Sequence, residues 1–245
     1  VPDLGDILHR ILQGVSRRLS LEKLSFADLD QSTCHRITDQ VSEELLADYQ
    51  QGIFRSSSRY RYMSQRLKRI SRRAAWTLST QLQKGQFAFA GHEIRFGLED
   101  YCHLPALKVE LLGGEIIYLE GRIDRLDLLE EGDEVYVKII DYKSGPRSLK
   151  LDEIYYGLNL QLIIYLAAVM QGLKEKEGKS PRAAGVFYFR LDDPLVDGDE
   201  AMDPALIEAA INKKLRMTGL MVADIRIIRQ LDSEFDTVSD ILPVR

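Results

Sequence analysis

Two short runs near the middle of the chain carry side chains that can do chemistry together: Gly121-Arg122-Ile123-Asp124-Arg125-Leu126-Asp127 and, one turn later, Ile139-Ile140-Asp141-Tyr142-Lys143-Ser144-Gly145. Between them stands Gly132-Asp133, a pair suited to a two-residue hairpin loop with glycine at its first position. That bend sets Asp124 opposite Asp141, and because side chains alternate along a strand, Lys143 shares the face of Asp141. One sheet face then presents two carboxylates at cross-strand distance with a lysine beside them. Two ionised carboxylates held that close repel, and a divalent cation turns the cost into attraction. Magnesium is commonly held by one or two carboxylates plus substrate phosphate, so the arrangement suits phosphodiester chemistry. Asp127 counts onto the other face, opposite Lys138, as a structural ion pair. The plainer alternative is an exposed hairpin with a charge cluster. Placement argues for a site, because Asp141 and Lys143 end an apolar run that Ser144-Gly145-Pro146 breaks.

The surrounding elements must hold this hairpin. Apolar residues at helical spacing (Leu4, Leu8, Ile11, Leu12, Val15, Leu19) predict a helix over 4–19, and further helices suit 38–50 and 60–84. Strand patterns follow at 87–98, 107–112, 115–128 and 134–142. Asp152 is placed to cap a helix over 153–172, and 183–190 reads as a buried strand. A last helix opens at Asp203-Pro204 and runs to about Met217, with Gly219 as its stop. A crossover helix between strands implies an α/β fold with a mixed central sheet flanked by helices and a helical N-terminal portion. One domain over 1–245 is expected: a mainly helical part (1–85), a sheet core (86–195) and a C-terminal helix and tail (196–245).

Composition is that of an ordinary globule, with 45% hydrophobic and 29% charged residues among 245. No apolar run is long enough to span a bilayer, and no cleavable leader opens the chain. Cys34 and Cys102 form no CxxC pair, which argues against a disulfide framework and a cysteine metal cage, so a reducing cytoplasm is the expected location. The helical pattern begins almost at Val1, so the chain reads as a fragment of a larger protein. Net charge is −5, yet Arg55, Arg59, Arg61, Arg66, Lys68, Arg69, Arg72 and Arg73 follow one another without an acid. Such a stripe is either a solvated helix face or an electrostatic guide for a DNA backbone, with Tyr60, Tyr62 and Trp76 interleaved as possible base contacts.

The two runs, together with Tyr156-Gly157-Leu158-Asn159-Leu160-Gln161-Leu162-Ile163-Ile164-Tyr165, closely resemble the RecB-type branch of the PD-(D/E)XK nucleases. Within it the chain looks most like the nuclease domains of AddB-type components of AddAB helicase-nucleases, from Gly5 to about Asp232. The resemblance implies a restriction-endonuclease-like sheet and a Mg2+-dependent exonuclease, with Mn2+ as substitute, acting on single-stranded DNA in double-strand-break repair and recombination. It implies Asp124 and Asp141 as carboxylate metal ligands, the backbone carbonyl of Tyr142 as another, and His9, in a Gly-x-x-x-His context, as the histidine that completes the shell. It implies Lys143 as the residue orienting the attacking water, and Gln161 and Tyr165, one helical turn apart, as holders of the scissile strand. The implied partners are DNA unwound by a motor and the AddA component of the AddAB complex. Full-length relatives of this kind usually carry an iron–sulfur cluster, whose four cysteines this chain lacks; Cys34 and Cys102 are wrongly placed to replace them. Glu120 offers a slim second-ion ligand. Rival readings are a catalytically silent DNA-binding scaffold of the same fold and a Cas4-like exonuclease.

Overall fold

The computed structural model describes residues 3–49, 52–196 and 203–244. Three helices come first: α1 (Leu4–Glu22), α2 (Gln31–Asp48) and α3 (Ser58–Gln83). The Asp3 carboxylate accepts from the N–H groups of Gly5 and Asp6 to start α1. Asp30 does the same for Thr33, which is why α2 begins well before the expected residue 38. The apolar stripes of the three helices, among them Ile7, Ile11, Val15, Ile37, Leu67 and Leu78, bury against one another and against one sheet face through Phe87, Ile140, Tyr142 and Phe187.

The sheet residues follow: β1 (Ala88–Gly97), β2 (Leu104–Pro105), β3 (Leu107–Glu110), β4 (Ile116–Leu119), β5 (Gly121–Glu131) and β6 (Glu134–Lys143). Then come α4 (Leu151–Tyr155), α5 (Gln161–Glu177), β7 (Ser180–Arg190), α6 (Pro204–Lys214), β8 (Thr218–Met221) and α7 (Ile225–Leu231). Six strands form one mixed sheet in the order β2-β1-β5-β6-β7-β8. β6 and β7 are parallel, joined by a crossover through α5, whereas β5 and β6 are an antiparallel hairpin. The buried face of α5 (Leu162, Ala168, Val169, Leu173) covers the second face of the sheet at Ile123, Leu126, Val137 and Ile139. Helices on both faces make this the mixed α/β sandwich expected from the sequence. Among the described residues no helix is long and apolar enough to cross a membrane.

Three local expectations change. The strand over 115–128 is two strands, since β4 pairs with β3 in a separate two-stranded sheet while β5 enters the main one. The break falls at Glu120, whose Oε1 accepts from the N–H of Leu98 at 2.7 Å. The helix over 153–172 is also two, α4 and α5, because Gly157 turns left-handed at φ +73° between them. Finally, α6 stops before Gly219, which instead lies in edge strand β8, where a Cβ would sit 2.1 Å from the carbonyl oxygen of Val186. The sheet therefore takes its last strand from the C-terminal portion of the chain.

Candidate metal centre

The hairpin loop at Gly132-Asp133, with Gly132 at φ +61°, sets the register of β5 on β6: Glu131 faces Glu134, Asp127 faces Lys138 and Arg125 faces Ile140. One position further on, the Asp124 side chain enters the backbone bonding, and its Oδ2 accepts from the N–H of Tyr142 at 2.7 Å. Its other oxygen, Oδ1, lies 3.5 Å from Nδ1 of His9. The histidine arrives from α1, anchored by its buried neighbours Ile7, Leu8, Ile11 and Leu12, with its ring edge-on to Tyr142 at 5.5 Å. Gly121, at the start of β5, is required here because a Cβ would press into the Phe96 ring at 2.7 Å.

Asp141 is buried, and its Oδ2 lies 2.6 Å from Nζ of Lys143. Burial, together with the charge of Asp124, raises its carboxyl to about 6, while Lys143 and His9 pull the other way. Lys143 donates to Oε1 of Gln161 at 3.2 Å, and Nε2 of Gln161 donates to the Tyr165 hydroxyl at 2.8 Å. The lysine also rests over the ring of Tyr188, 5.6 Å from its centroid. Lys143, Gln161 and Tyr165 thus form one connected row leading away from Asp141.

The structure adds a residue that sequence reasoning did not single out. Glu93 of β1 is held at φ +53°, a left-handed conformation uncommon for glutamate and typical of functional sites. Its carboxylate takes 2.7 Å contact from Nε of Arg122 and lies 3.9 Å from His9. Burial lifts its pKa, opposed by Arg122 and aided by Asp124. One potential ligand atom each from His9, Glu93 and Asp124 falls within 4.8 Å of the others. For His9, burial works against the charged ring, but Asp124, Glu93 and Asp141 outweigh it and raise its pKa.

This donor set fits a divalent cation. It combines a histidine nitrogen with carboxylate oxygens whose mutual repulsion an ion relieves. Asp141 stands next to the trio and acts electrostatically on His9, with Lys143 on its outer side.

Behind the centre lies a dry polar cluster. His92 bonds through Nδ1 to the carbonyl oxygen of Asp124 at 2.9 Å, and its pKa falls to about 3 because burial, and then Arg125, oppose a charge. Asp127 accepts from Nε of Arg125 at 2.8 Å and lies 3.2 Å from Nζ of Lys138, all three being buried. The Arg125 guanidinium lies 5.4 Å from the ring centroids of both Phe26 and Phe89, which themselves meet edge to face at 5.4 Å.

The C-terminal part of the basic stripe, on α3, is ion-paired to neighbouring segments. Lys68 pairs with Glu43 at 2.7 Å, Arg69 with Asp193 at 2.8 Å, Arg72 with Asp39, and Arg73 with Glu208. Among the described residues Arg59, Arg61 and Arg66 have no carboxylate in ion-pair range, and the side chain of Arg55 lies outside the described residues. Tyr60 and Trp76 pack against the core, whereas Tyr62 is exposed.

The sequence profile of the PD-(D/E)XK nuclease superfamily matches residues 1–240. The chain is 42% identical over 242 residues to the B component of an ATP-dependent helicase/deoxyribonuclease from Alkaliphilus oremlandii, covering 99% of this chain and 21% of the relative. The protein of the same description from Clostridium botulinum is 38% identical over 244 residues, with the same coverage. The chain therefore spans about a fifth of the length of the curated relatives it matches.

Proposed function

Because this chain belongs to the PD-(D/E)XK nuclease superfamily, we propose that it hydrolyses the phosphodiester bonds of single-stranded DNA as a Mg2+-dependent exonuclease. The observation that carries this reading is the convergence of His9, Glu93 and Asp124 beside the Asp141–Lys143 pair. His9, Asp124, Asp141 and the backbone carbonyl of Tyr142 are the proposed ligands, with Glu93 alongside them. A bound cation supplies the charge that polarises a phosphoryl oxygen and acidifies a water.

The chain's own residues do the rest. Asp124 is fixed by the bond that its Oδ2 accepts from the Tyr142 N–H, which leaves Oδ1 as the oxygen that would meet the cation. Lys143, an ammonium beside a buried carboxylate, aligns the attacking water and balances the negative charge that builds on the phosphate. Gln161 and Tyr165 position the lysine and the strand being cut, leaving a 5′-phosphate and a 3′-hydroxyl. Arg59, Arg61 and Arg66, with Arg55 and the ion-paired Lys68, Arg69, Arg72 and Arg73, guide the backbone of the strand.

At the level of the whole protein, the relatives' description as part of a helicase/deoxyribonuclease supports a place in a longer polypeptide, for which a cytoplasmic location is part of the proposal. Its motor would deliver unwound DNA during break repair, alongside an AddA-type partner and with an iron–sulfur cluster outside this chain. The deciding experiment pairs a single-strand cleavage assay with Mn2+ calorimetry. Lys143→Ala should abolish cleavage and keep the ion, whereas Asp141→Ala should lose both. Normal cutting by purified Lys143→Ala protein overturns the assignment.

A further inference from the structure

The segment that joins Lys143 to Gln161 exposes its largest apolar side chains. Tyr155 is 84% exposed, Tyr156 73%, Leu151 68% and Leu158 78%. Their exposure is built in, because Leu149 and Ile154 face the core under α5 and so turn the other side of α4 to solvent. Leu151 and Tyr155 stand four residues apart on that helix and share a face. The Tyr155 and Tyr156 rings meet edge to face at 5.2 Å. An exposed apolar patch of this kind marks a binding surface.

Its occupant follows from what it adjoins. Asn159, just beyond the patch, reaches Glu153 of α4 through Nδ2 at 3.4 Å and accepts from the Tyr188 hydroxyl at 3.0 Å, the tyrosine over which Lys143 rests. The helix that carries the patch is thus linked, through Glu153, Asn159 and Tyr188, to Lys143. Arg147 is exposed in the same segment, as is Lys150, which pairs with Glu153 at 3.0 Å. We infer that Tyr155 and Tyr156 form a stacking platform for the unpaired bases of a single DNA strand beside the scissile phosphate. The platform rests on the nuclease reading and gives it a physical reason to prefer single strands, since paired bases keep their faces covered while any unpaired base offers one.

The test uses the 245-residue chain with Lys143→Ala to hold the substrate intact, and measures binding of a labelled oligothymidine and of an abasic strand of equal length at fixed salt and Mg2+. Adding Tyr155→Ala and Tyr156→Ala together should weaken oligothymidine binding by about tenfold or more, the worth of a lost base stack. It should leave the abasic strand and the melting temperature unchanged, and Tyr155→Phe with Tyr156→Phe should retain the parent affinity. Unchanged oligothymidine binding, or an equal loss on both strands, overturns the platform. If the chain with Lys143 intact still cleaves in that case, only the platform falls. If it neither cleaves nor binds either strand, the nuclease reading falls and the platform with it.

Discussion

Asp124 and Tyr142 are joined across the hairpin by a bond from a backbone N–H to a carboxylate oxygen, 2.7 Å long, one position beyond the last regular pair of β5 and β6. The same side chain therefore serves the fold with one oxygen and turns the other toward His9. The two roles separate on substitution. Asp124→Asn keeps an acceptor for Tyr142 and should leave thermal stability near the parent value while Mn2+ affinity falls. Asp124→Ala should lose the ion as well and cost a further ~1–3 kcal/mol by stranding a buried N–H. Calorimetry with Mn2+ and chemical denaturation read the two effects independently.

Glu93 should behave as part of the metal shell. Glu93→Gln keeps the shape and removes the charge, so Mn2+ affinity is expected to fall by about tenfold or more. An affinity unchanged in Glu93→Gln would assign the residue to holding Arg122 alone.

Asp141 gives the centre a pH dependence of definite sign. Its folded-state pKa of about 6 exceeds the ordinary 3.8, so the metal-free native state holds this proton more tightly than the unfolded chain does. Stability contributed here is present at low pH and drains away as pH rises from about 4 to about 6, a difference of about 3 kcal/mol. Asp141→Asn should therefore raise the melting temperature of the metal-free protein at pH 7 and do little at pH 4. Mn2+ affinity should climb over the same interval as the carboxyl loses its proton. Equal melting temperatures of parent and variant at both pH values would contradict this.

Among the described residues, Asp127 is the carboxylate that pairs with both buried Arg125 and buried Lys138. Asp127→Ala leaves two cations without it in a dry interior and should cost roughly 3–5 kcal/mol in denaturant unfolding. The effect belongs to the fold: at a temperature where the variant stays native, Mn2+ should still bind.

The parts of the site that follow local rules were readable from the residues. A glycine at the first loop position named the turn, the turn named the register, and the register placed Asp127 on Lys138 as observed. Glu93 escaped because its position depends on how β1 meets β5, a pairing distant in sequence and irregular between Phe89 and Gly91. Its left-handed backbone then breaks the alternation that strand counting assumes. The nearest available signal was an acid in an otherwise mostly apolar strand. The partners of the α3 cations were hidden for a related reason: Asp39, Glu43, Asp193 and Glu208 lie far away along the chain and meet the stripe only after folding. The break between α4 and α5 was signalled by Gly157, but the apolar spacing on either side outweighed it.

His9 rides on a helix, while its fellow ligand candidates ride on strands. A slight tilt of α1 would withdraw a nitrogen from the centre without disturbing a single ladder bond. The seat of that helix on the sheet therefore sets how near the imidazole stands to the carboxylates.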